Sequence, residues 1–339
     1  MDARFQPLNA LGITRSFQRS LAHWYKGNGR DLPWRRTRDP YSILVSEMML
    51  QQTQVTTVLP YYTEWLRRFP NLISLASASE NDVLHAWQGL GYYARALNLH
   101  AAAKSLVDRH HAFFPRDIPR IRELPGIGRY TANAIATFAF NQSVPVVEAN
   151  TARLLARLFN ITVPIDSTTG GETLWTHATS LVPKRGAGRF NSALMDLGAL
   201  VCLPRAPKCV VCPVKKFCRA TRPEILPVKK SRPRTKQLTE SHAFAFKENR
   251  ILLEQSTKRW RGMWILPSLK KQSPTSCAIH TSIFPFTNHR ISLRIFAHCP
   301  CKIDNRTQRW FPAGALESIP MPSPHRRAIA ELLPLSVGR

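Results

Sequence analysis

Apolar residues recur along most of the chain with the spacing of α-helices. From about residue 16 to residue 217 they repeat every three to four positions, and strand-like alternation is scarce. One helix start is explicit in DPYSILVSEMMLQQTQV, because Asp39 can cap a helix whose first residue is Pro40. Further helices are predicted in NLHAAAKSLVDRH, GRYTANAIATFAF and FNSALMDLGALVC. This part of the chain is therefore predicted to be mostly α.

The pattern changes after Cys218. The segment TRPEILPVKKSRPRTKQLTE is rich in proline and basic residues, as linkers are. Beyond it, HAFAFKENRILLEQS predicts two short strands around a turn at Glu248 and Asn249, and RISLRIFAH alternates like a strand. We therefore predict three parts: a helical domain over residues 1–225, a basic linker over 226–240 and a small α+β domain over 241–339.

The charge composition indicates what kind of partner the protein binds. The 339 residues include 48 Lys and Arg against 21 Asp and Glu, which gives a formal net charge of +27. Such an excess favours a polyanionic partner, most simply nucleic acid, over a protein that is merely basic. No apolar run reaches the ~18 residues of a membrane span, and MDARFQPLNALGITRSF has no signal-peptide core. We expect a cytoplasmic protein with no membrane segment, associated with the nucleoid if it is bacterial.

Four cysteines crowd into CLPRAPKCVVCPVKKFC with the spacing C-x6-C-x2-C-x5-C: Cys202, Cys209, Cys212 and Cys218. Four thiolates this close can surround one compact metal centre. Zinc sites usually split their ligands into two short-spaced pairs, and only one such pair exists here. The spacing therefore favours a 4Fe-4S cluster, with zinc as the alternative. Basic side chains that can face phosphates lie among the cysteines: Arg205, Lys208, Lys215 and Lys216.

A second motif, ELPGIGRYTANAI, places Gly126 and Gly128 just before a predicted helix. Glycines allow a tight turn and a close approach of the backbone to a ligand. The free N–H groups at the helix start suit a phosphate. The alternative is an ordinary turn that joins two helices.

These motifs resemble the helix-hairpin-helix DNA glycosylases that carry an iron–sulfur cluster. Four further segments look like the MutY family of adenine glycosylases: LPW at 32–34, SEMMLQQTQV at 46–55, GLGYYARALNL at 89–99 and MDLGALVC at 195–202. The resemblance covers residues 16–218. It implies a monomer that excises adenine mispaired with 8-oxoguanine or guanine in double-stranded DNA. Such enzymes flip the target base out of the stack, where its glycosidic bond becomes accessible.

Excision of a base calls for two carboxyl groups in different environments. Glu47 is the first candidate, since it follows Ile43 and Leu44 by four and three residues and shares their apolar helix face. Burial should raise its pKa and make it a general acid near neutral pH. The resemblance gives it the role of protonating adenine N7.

Glu148 is the second candidate. It precedes Asn150 and Thr151, either of which could cap the next helix, and the helix dipole favours a negative charge at this place. An ionised carboxylate there could stabilise the sugar cation; support of the helix alone is the alternative. Where the family has D-G-N-V, this chain has Glu148-Ala149-Asn150-Thr151. The resemblance carries the aspartate's role to Glu148 and includes Asn150 in the catalytic set.

Other site residues follow from the resemblance alone. Gln52 and Tyr92 match residues that enter the base stack around 8-oxoguanine, although Tyr92 could also be a core tyrosine. Three residues lie in motifs that line the adenine pocket: Arg30, Trp34 and Gln51. Tyr130 stands where the endonuclease III branch has a lysine that attacks the sugar. The enzyme is therefore expected to be monofunctional, leaving an abasic site.

The C-terminal part resembles a Nudix-like domain that reads 8-oxoguanine, through KRWRGMWILP at 258–267. It contains no R-E-x-x-E-E run, so pyrophosphate hydrolysis is not expected. The family's F-S-H reading loop corresponds best to Thr287-Asn288-His289, so Asn288 and His289 are expected to contact the oxidised base. The alternative is a plain turn. Two other functions stay open: a mismatch glycosylase that removes thymine from G:T, and a catalytically weakened lesion-binding protein.

Overall fold

The computed structural model describes residues 11–231, 233–269, 278–286, 289–297 and 306–337. Among the described residues, none before Lys236 lies in a strand, which confirms the predicted mostly α region. Its helices are α1 Leu11–Asn28, α2 Pro40–Leu50, α3 Val55–Arg68, α4 Leu72–Ser77, α5 Glu80–Ala86, α6 Ala94–His110, α7 Ile118–Arg122, α8 Arg129–Phe138, α9 Ala149–Leu158, α10 Thr168–Leu181 and α11 Ala187–Leu200.

The start of α2 follows the predicted capping. The Asp39 side chain accepts hydrogen bonds from the backbone N–H groups of Tyr41 and Ser42, and Pro40 is the first helical residue. Nearly the whole helix is buried, from Tyr41 to Met49 with a single half-buried exception at Ser42. Because α2 is buried on all its faces, other parts of the protein must surround it.

Packing divides the chain into two compact units. Unit 1 holds the described residues up to Gln51 together with Asp108–Ser231, and unit 2 holds Gln52–Val107 together with the described residues after Ser231. Helices α3 to α6 therefore pack in the same unit as the C-terminal sheets. The change of composition after Cys218 gives no indication of this arrangement.

Unit 1 is built on a few helix pairs: α1 and α9 pack against α11, and α8 packs against α2. Its apolar core includes Phe17, Leu155 and Leu197, all fully buried. The cysteine segment after α11 closes on this core, with Val214 buried and the Phe217 ring 5.7 Å from that of Phe17. Apolar contacts thus fix the position of the cysteine segment.

Unit 2 contains all the described strands and the last helix: β1 Lys236–Phe244, β2 Phe246–Lys247, β3 Arg250–Gln255, β4 Trp264–Ile265, β5 His280–Phe286, β6 His289–Ala297, β7 Gln308–Pro312 and α12 Ser323–Val337. In one sheet the order is β1-β6-β5, with β6 parallel to β1 and antiparallel to β5. In the other, β3 pairs with β2, β4 and β7, all antiparallel. The α+β character predicted for this region is confirmed.

Two details of unit 2 bear on the sequence predictions. Glu248 and Asn249 both have left-handed backbones, with φ of 51° and 55°, as a tight hairpin turn between β2 and β3 requires. Strand β1 begins at Lys236, within the segment predicted as a linker. No described helix is both long and apolar enough to cross a bilayer.

Candidate active site

Glu47 lies on α2 with only 3% of its surface exposed, as its spacing to Ile43 and Leu44 predicts. The hydroxyl of Tyr130, in the first turn of α8, donates a hydrogen bond to Glu47 Oε2. Burial raises the pKa of Glu47 from 4.5 to about 7, although the Tyr130 hydrogen bond and the Arg35 charge act to lower it. Near neutral pH this carboxyl can therefore hold a proton and release it.

Tyr130 is held as a hydrogen-bond donor. Burial of its hydroxyl, and then the nearby Glu47 carboxylate, raise the pKa of Tyr130 well above its usual range. The residue as a whole is half-buried, with its hydroxyl end directed at Glu47. The phenol thus stays neutral and keeps a single orientation toward the carboxyl group.

A buried ion-pair network lies beside this pair. Asp196 of α11 is fully buried and accepts hydrogen bonds from Arg30 N at 2.8 Å, Arg30 Nε at 2.8 Å, Arg35 Nη1 at 2.7 Å and Arg35 Nη2 at 2.8 Å. Although burial alone would raise it, these bonds hold the pKa of Asp196 below its usual range. Trp34, in the turn Pro33–Arg35, is 7% exposed. Asp196 therefore fixes both arginines around that turn.

Glu148 itself caps α9, which corrects the expectation that Asn150 or Thr151 would do so. Its Oε2 accepts from Asn150 N at 2.7 Å, and its Oε1 accepts from Thr151 N at 2.7 Å and Thr151 Oγ1 at 3.1 Å. The longer side chain of glutamate allows it to fold back onto these N–H groups. Capping and chemistry are therefore compatible, since the cap holds both carboxylate oxygens in fixed positions at the start of α9.

The charge of Glu148 influences the pKa of Glu47. After burial and the Tyr130 hydrogen bond, the charge of Glu148 is the next influence on Glu47, and it raises the pKa of Glu47. Their surroundings differ: Glu47 is enclosed and receives one phenol, whereas Glu148 is half-buried and receives three donors. One group is set up to exchange a proton and the other to present negative charge, which is the division that acid-assisted bond cleavage needs.

Arg153 ties the first turn of α9 to the end of α11. Its Nη2 donates to Asn150 Oδ1 at 2.9 Å and to Gly198 O at 2.7 Å, and its Nε donates to Cys202 O at 2.8 Å. The helices approach so closely that a Cβ on Gly198 would lie 2.8 Å from Asn150 O. The segment that carries Glu148 is therefore braced against the start of the cysteine segment.

The four predicted metal ligands lie close enough to influence one another electrostatically. Burial, followed by the charges of Cys202, Cys218 and Cys209, raises the pKa of Cys212 to about 11. No three described His, Cys, Asp or Glu side chains are gathered tightly enough for a single metal ion. The four thiols lie close enough for their charges to influence one another, and an all-sulfur donor set of this kind suits an iron–sulfur cluster.

Arg157 holds the cysteine segment in place through its hydrogen bonds. This fully buried arginine of α9 donates to Cys202 Sγ at 3.4 Å, Leu203 O at 2.6 Å, Pro204 O at 3.1 Å and Leu226 O at 3.1 Å. Its backbone carbonyl accepts from Cys218 Sγ at 3.5 Å. Buried charge is tolerated here because carbonyl oxygens surround the guanidinium.

The predicted hairpin is present between α7 and α8. Gly126 has φ of +74°, a left-handed conformation that glycine adopts without strain, whereas Gly128 has an ordinary extended backbone. Gly128 precedes α8 without a side-chain cap, and a Cβ there would meet nothing within 4 Å. The start of α8 is therefore open to a ligand, as an anion site requires.

The residues predicted to enter the base stack are on the surface of unit 2. Tyr92 is 43% exposed, which argues against a core role, and Gln52 is exposed as well. Both have left-handed backbones, with φ of 48° and 57°. In unit 1, Gln51 ends α2 and its Nε2 donates to Met48 Sδ at 3.5 Å. Strained backbones at exposed side chains are typical of functional loops.

The predicted reading loop is only partly described. Thr287 and Asn288 lie outside the described residues. His289 begins β6, where it pairs with Phe286 of β5 and Lys236 of β1, and its side chain is half-buried. The histidine therefore lies at the end of a hairpin.

Sequence reasoning did not single out the arginines and the aspartate that organise the site. Arg35 influences Glu47, Asp196 holds Arg35, and Arg153 holds Asn150. A usable signal was present: charged residues within strongly apolar helical segments, such as the aspartate in ALMDLGAL, are seldom buried without a partner. That signal indicates a partner but does not identify it.

Comparison with known proteins gives consistent relatives. The family described as HhH-GPD superfamily base excision DNA repair protein matches residues 45–169, a span that contains Glu47, Tyr130 and Glu148. An adenine DNA glycosylase of Homo sapiens is 46% identical over 214 residues, covering 60% of this chain and 39% of that protein. One from Buchnera aphidicola subsp. Acyrthosiphon pisum is 35% identical over 262 residues, covering 76% of this chain and 75% of that protein. The chain thus spans about two fifths of its human relative's length.

Solved structures show the same fold. A thermostable thymine-DNA glycosylase matches with a TM-score of 0.56 and 30% identity, over 61% of this chain and 95% of that one. Endonuclease III, trapped in a covalent intermediate with DNA, matches with a TM-score of 0.53 and 20% identity, over 60% of this chain and 93% of that one. At that identity the second match supports the fold alone.

Replacing Glu47 by glutamine should remove a pH-dependent loss of stability. The pKa of Glu47 is about 7 in the folded protein and 4.5 ordinarily, so the folded state keeps a proton that the unfolded state has released. Wild-type stability therefore falls as pH rises through this window. The advantage of Glu47→Gln should grow by about 2–3 kcal/mol between about pH 5 and about pH 8, measured by urea unfolding.

The matched control for Glu47→Gln is Glu123→Gln, because Glu123 is exposed. Its difference from wild type should stay constant across the same pH range. A constant difference for Glu47→Gln as well would contradict the raised pKa.

Alanine should have opposite effects at two helical glycines. At Gly198 the new Cβ would lie 2.8 Å from Asn150 O, so overpacking should cost about 1–3 kcal/mol of unfolding free energy. At Gly171 of α10 the nearest atom is 3.8 Å away, so Gly171→Ala should stabilise by up to about 1 kcal/mol through helix propensity. A urea midpoint that rises for Gly198→Ala as it does for Gly171→Ala would show that the close approach at Gly198 is not a constraint.

Proposed function

Because the chain belongs to the adenine DNA glycosylase family, as its 35% identity over 75% of the Buchnera relative shows, we propose that it excises adenine mispaired with 8-oxoguanine or guanine in double-stranded DNA. The reaction is hydrolysis of an N-glycosidic bond in base excision repair. The observation that carries the proposal is the buried Glu47 carboxyl, with its pKa raised to about 7 beside Tyr130 and Glu148.

Glu47 supplies the proton. With a pKa of about 7 it is partly protonated near neutral pH, and it gives that proton to N7 of the flipped adenine. Protonation turns adenine into a neutral leaving group. Tyr130 fixes the carboxyl through its hydrogen bond to Oε2, so the other oxygen, Oε1, is the one that faces the base. The rate should decline as pH rises above about 7, because the acid form is then lost.

Glu148 stabilises the cation that remains. Departure of adenine leaves positive charge on the sugar, and an anionic carboxylate nearby lowers the energy of that state. The three donors that Glu148 accepts hold its oxygens in place before reaction, so little reorganisation is needed. Asn150 contributes through the same helix turn, since its backbone N–H binds Glu148 and Arg153 fixes its side chain.

The enzyme is proposed to be monofunctional. Lysine chemistry of the endonuclease III kind requires an amine that attacks the sugar and forms a Schiff base. Tyr130 occupies that sequence position, and its hydroxyl is directed to Glu47. The product is therefore an abasic site in an uncut strand.

The cysteine segment is proposed to hold a 4Fe-4S cluster through Cys202, Cys209, Cys212 and Cys218. When bound, such a cluster would be held by these four thiolates and would cross-link the segment. Exposed basic residues of the same segment then face the DNA backbone: Arg205, Lys208, Lys215 and Lys216. The open start of α8 at Gly128 offers a second phosphate contact.

Base recognition is proposed to involve the residues that the family resemblance assigns to it. Gln52 and Tyr92 enter the stack around the lesion, while Arg30, Trp34 and Gln51 border the adenine pocket. Asn288 and His289 contact 8-oxoguanine from the C-terminal part. The protein acts as a monomer on DNA in the cytoplasm. The net charge of +27 supports the electrostatic part of this binding.

A second candidate function is removal of thymine from G:T pairs. It is favoured by one observation, the 30% identity with a thermostable thymine-DNA glycosylase over 61% of this chain. The pair of carboxyl groups fits adenine better, because adenine N7 accepts a proton and becomes a leaving group, whereas thymine has no comparably basic ring nitrogen.

Duplexes with 8-oxoguanine:A, G:A and G:T pairs distinguish these functions. We expect strand breaks at adenine in the first two duplexes after alkali, and intact strands before alkali because the abasic product is not nicked. Gel electrophoresis of end-labelled strands gives both results. Breaks at thymine would support the second candidate, no breaks would indicate a lesion-binding protein, and breaks without alkali would contradict monofunctional chemistry.

Glu148 variants test the second carboxyl group. Glu148→Gln keeps the size but loses the charge, so the single-turnover rate on 8-oxoguanine:A should fall at least ~100-fold. Glu148→Asp keeps both charge and capping ability and should stay within about tenfold of wild type. If Glu148→Gln is as fast as wild type, Glu148 serves only as a cap and has no role in cleavage.

A further inference from the structure

The loop that carries Tyr92, residues 88–93, adopts a conformation that needs support from outside. We call it the Tyr92 loop. Gly89, Gly91 and Tyr92 all have left-handed backbones, with φ of 103°, 70° and 48°. Glycine adopts this conformation freely, whereas tyrosine adopts it only with strain that the surrounding structure must offset. Neighbouring side chains must therefore fix it.

The first set of contacts that holds the Tyr92 loop comes from Arg95 and Tyr61, in the helical part of unit 2. Buried Arg95 donates to Leu90 O and Gly91 O, both at 3.1 Å, and its guanidinium lies 5.5 Å from the Tyr92 ring centroid. Tyr61 Oη donates to Gln88 O at 2.8 Å. These contacts hold the loop backbone from two sides.

A second support comes from the C-terminal part of the same unit. Arg326 of α12 donates from Nη2 to Gln88 Oε1 at 3.0 Å, across 238 positions of sequence. Arg326 is itself held by Ile319 O at 2.8 Å and Leu316 O at 3.1 Å. A parallel contact joins His85 Nε2 and Glu317 O at 3.2 Å. The C-terminal region thus directly contacts Gln88, the first residue of the Tyr92 loop.

We propose that Arg326 is a positioning residue for Tyr92. Through Gln88 it couples the position of the Tyr92 loop to the C-terminal region. The part of the chain that is expected to read the base opposite adenine then also positions Tyr92, the side chain that enters the base stack. This inference rests on the proposed function, in which Tyr92 enters the stack. It predicts that breaking one contact within unit 2 slows base flipping.

The contact offers a clean double-mutant cycle. Gln88→Ala removes only the acceptor and leaves the two carbonyl partners of Arg326 in place. Arg326→Ala removes the donor, and Gln88→Glu keeps an acceptor for Arg326. Arg327→Ala is the matched control, because Arg327 is the exposed neighbour on the same helix and its loss changes the net charge equally. Thermal unfolding of each variant establishes that it is folded.

Two measurements are made with the full chain. The first is the fluorescence of 2-aminopurine placed beside the base opposite adenine, which reports unstacking without chemistry. The second is the single-turnover excision rate at saturating enzyme, where weaker DNA binding does not contribute. Gln88→Ala and Arg326→Ala should each reduce the rate about five- to tenfold, as expected for loss of one charge-assisted hydrogen bond, and should reduce the fluorescence rise. The double variant should be no slower than the slower single variant.

Gln88→Glu and Arg327→Ala should match wild type in both measurements. Multiplicative losses in the double variant, or wild-type fluorescence in folded Gln88→Ala, would overturn the proposal. Wild-type enzyme that unstacks the duplex but excises no adenine would instead contradict the proposed function, and the fluorescence of the variants would still test the role of Arg326.

Discussion

The hydrogen bond between Tyr130 and Glu47 is the interaction on which the rest of unit 1 depends. A carboxyl group that is 3% exposed is costly when ionised, and a phenol hydroxyl with its polar end buried is costly without an acceptor. Each group satisfies the other. The bond therefore fixes α8 against α2, while burial raises the pKa of Glu47 to about 7, where it can serve as an acid. Packing and chemistry impose the same geometry.

Asp196 takes the hydrogen bonds of the nearby arginines, so that they do not pair with the Glu47 carboxyl. A guanidinium that paired directly with Glu47 would stabilise the ionised carboxylate and remove the acid from neutral pH. Asp196 instead takes the hydrogen bonds of both Arg30 and Arg35, so that Arg35 reaches Glu47 only as a distant charge. Fully buried Asp196 is in turn stabilised by two positive partners, which is how buried charge is retained in proteins.

The sequence was informative wherever a property is local. The cap at Asp39, the burial of Glu47 and the turn at Glu248 and Asn249 depend on residues a few positions apart, and the structure contains them as predicted. The partners of Asp196, by contrast, lie more than 160 positions away. Spacing along one chain carries no information about such pairings, and the packing of α3 to α6 with the C-terminal sheets escaped prediction for the same reason.

Glu148 shows how a departure from a family pattern can leave the site intact. Both of its oxygens are bound to N–H groups of the first turn of α9, so the helix sets the position of the carboxylate. The additional methylene changes the path from the backbone to that position, while the position itself follows the turn. That turn is held in place by Arg153, which binds Asn150 and the end of α11. The location of the negative charge is therefore a property of two packed helices more than of the length of one side chain.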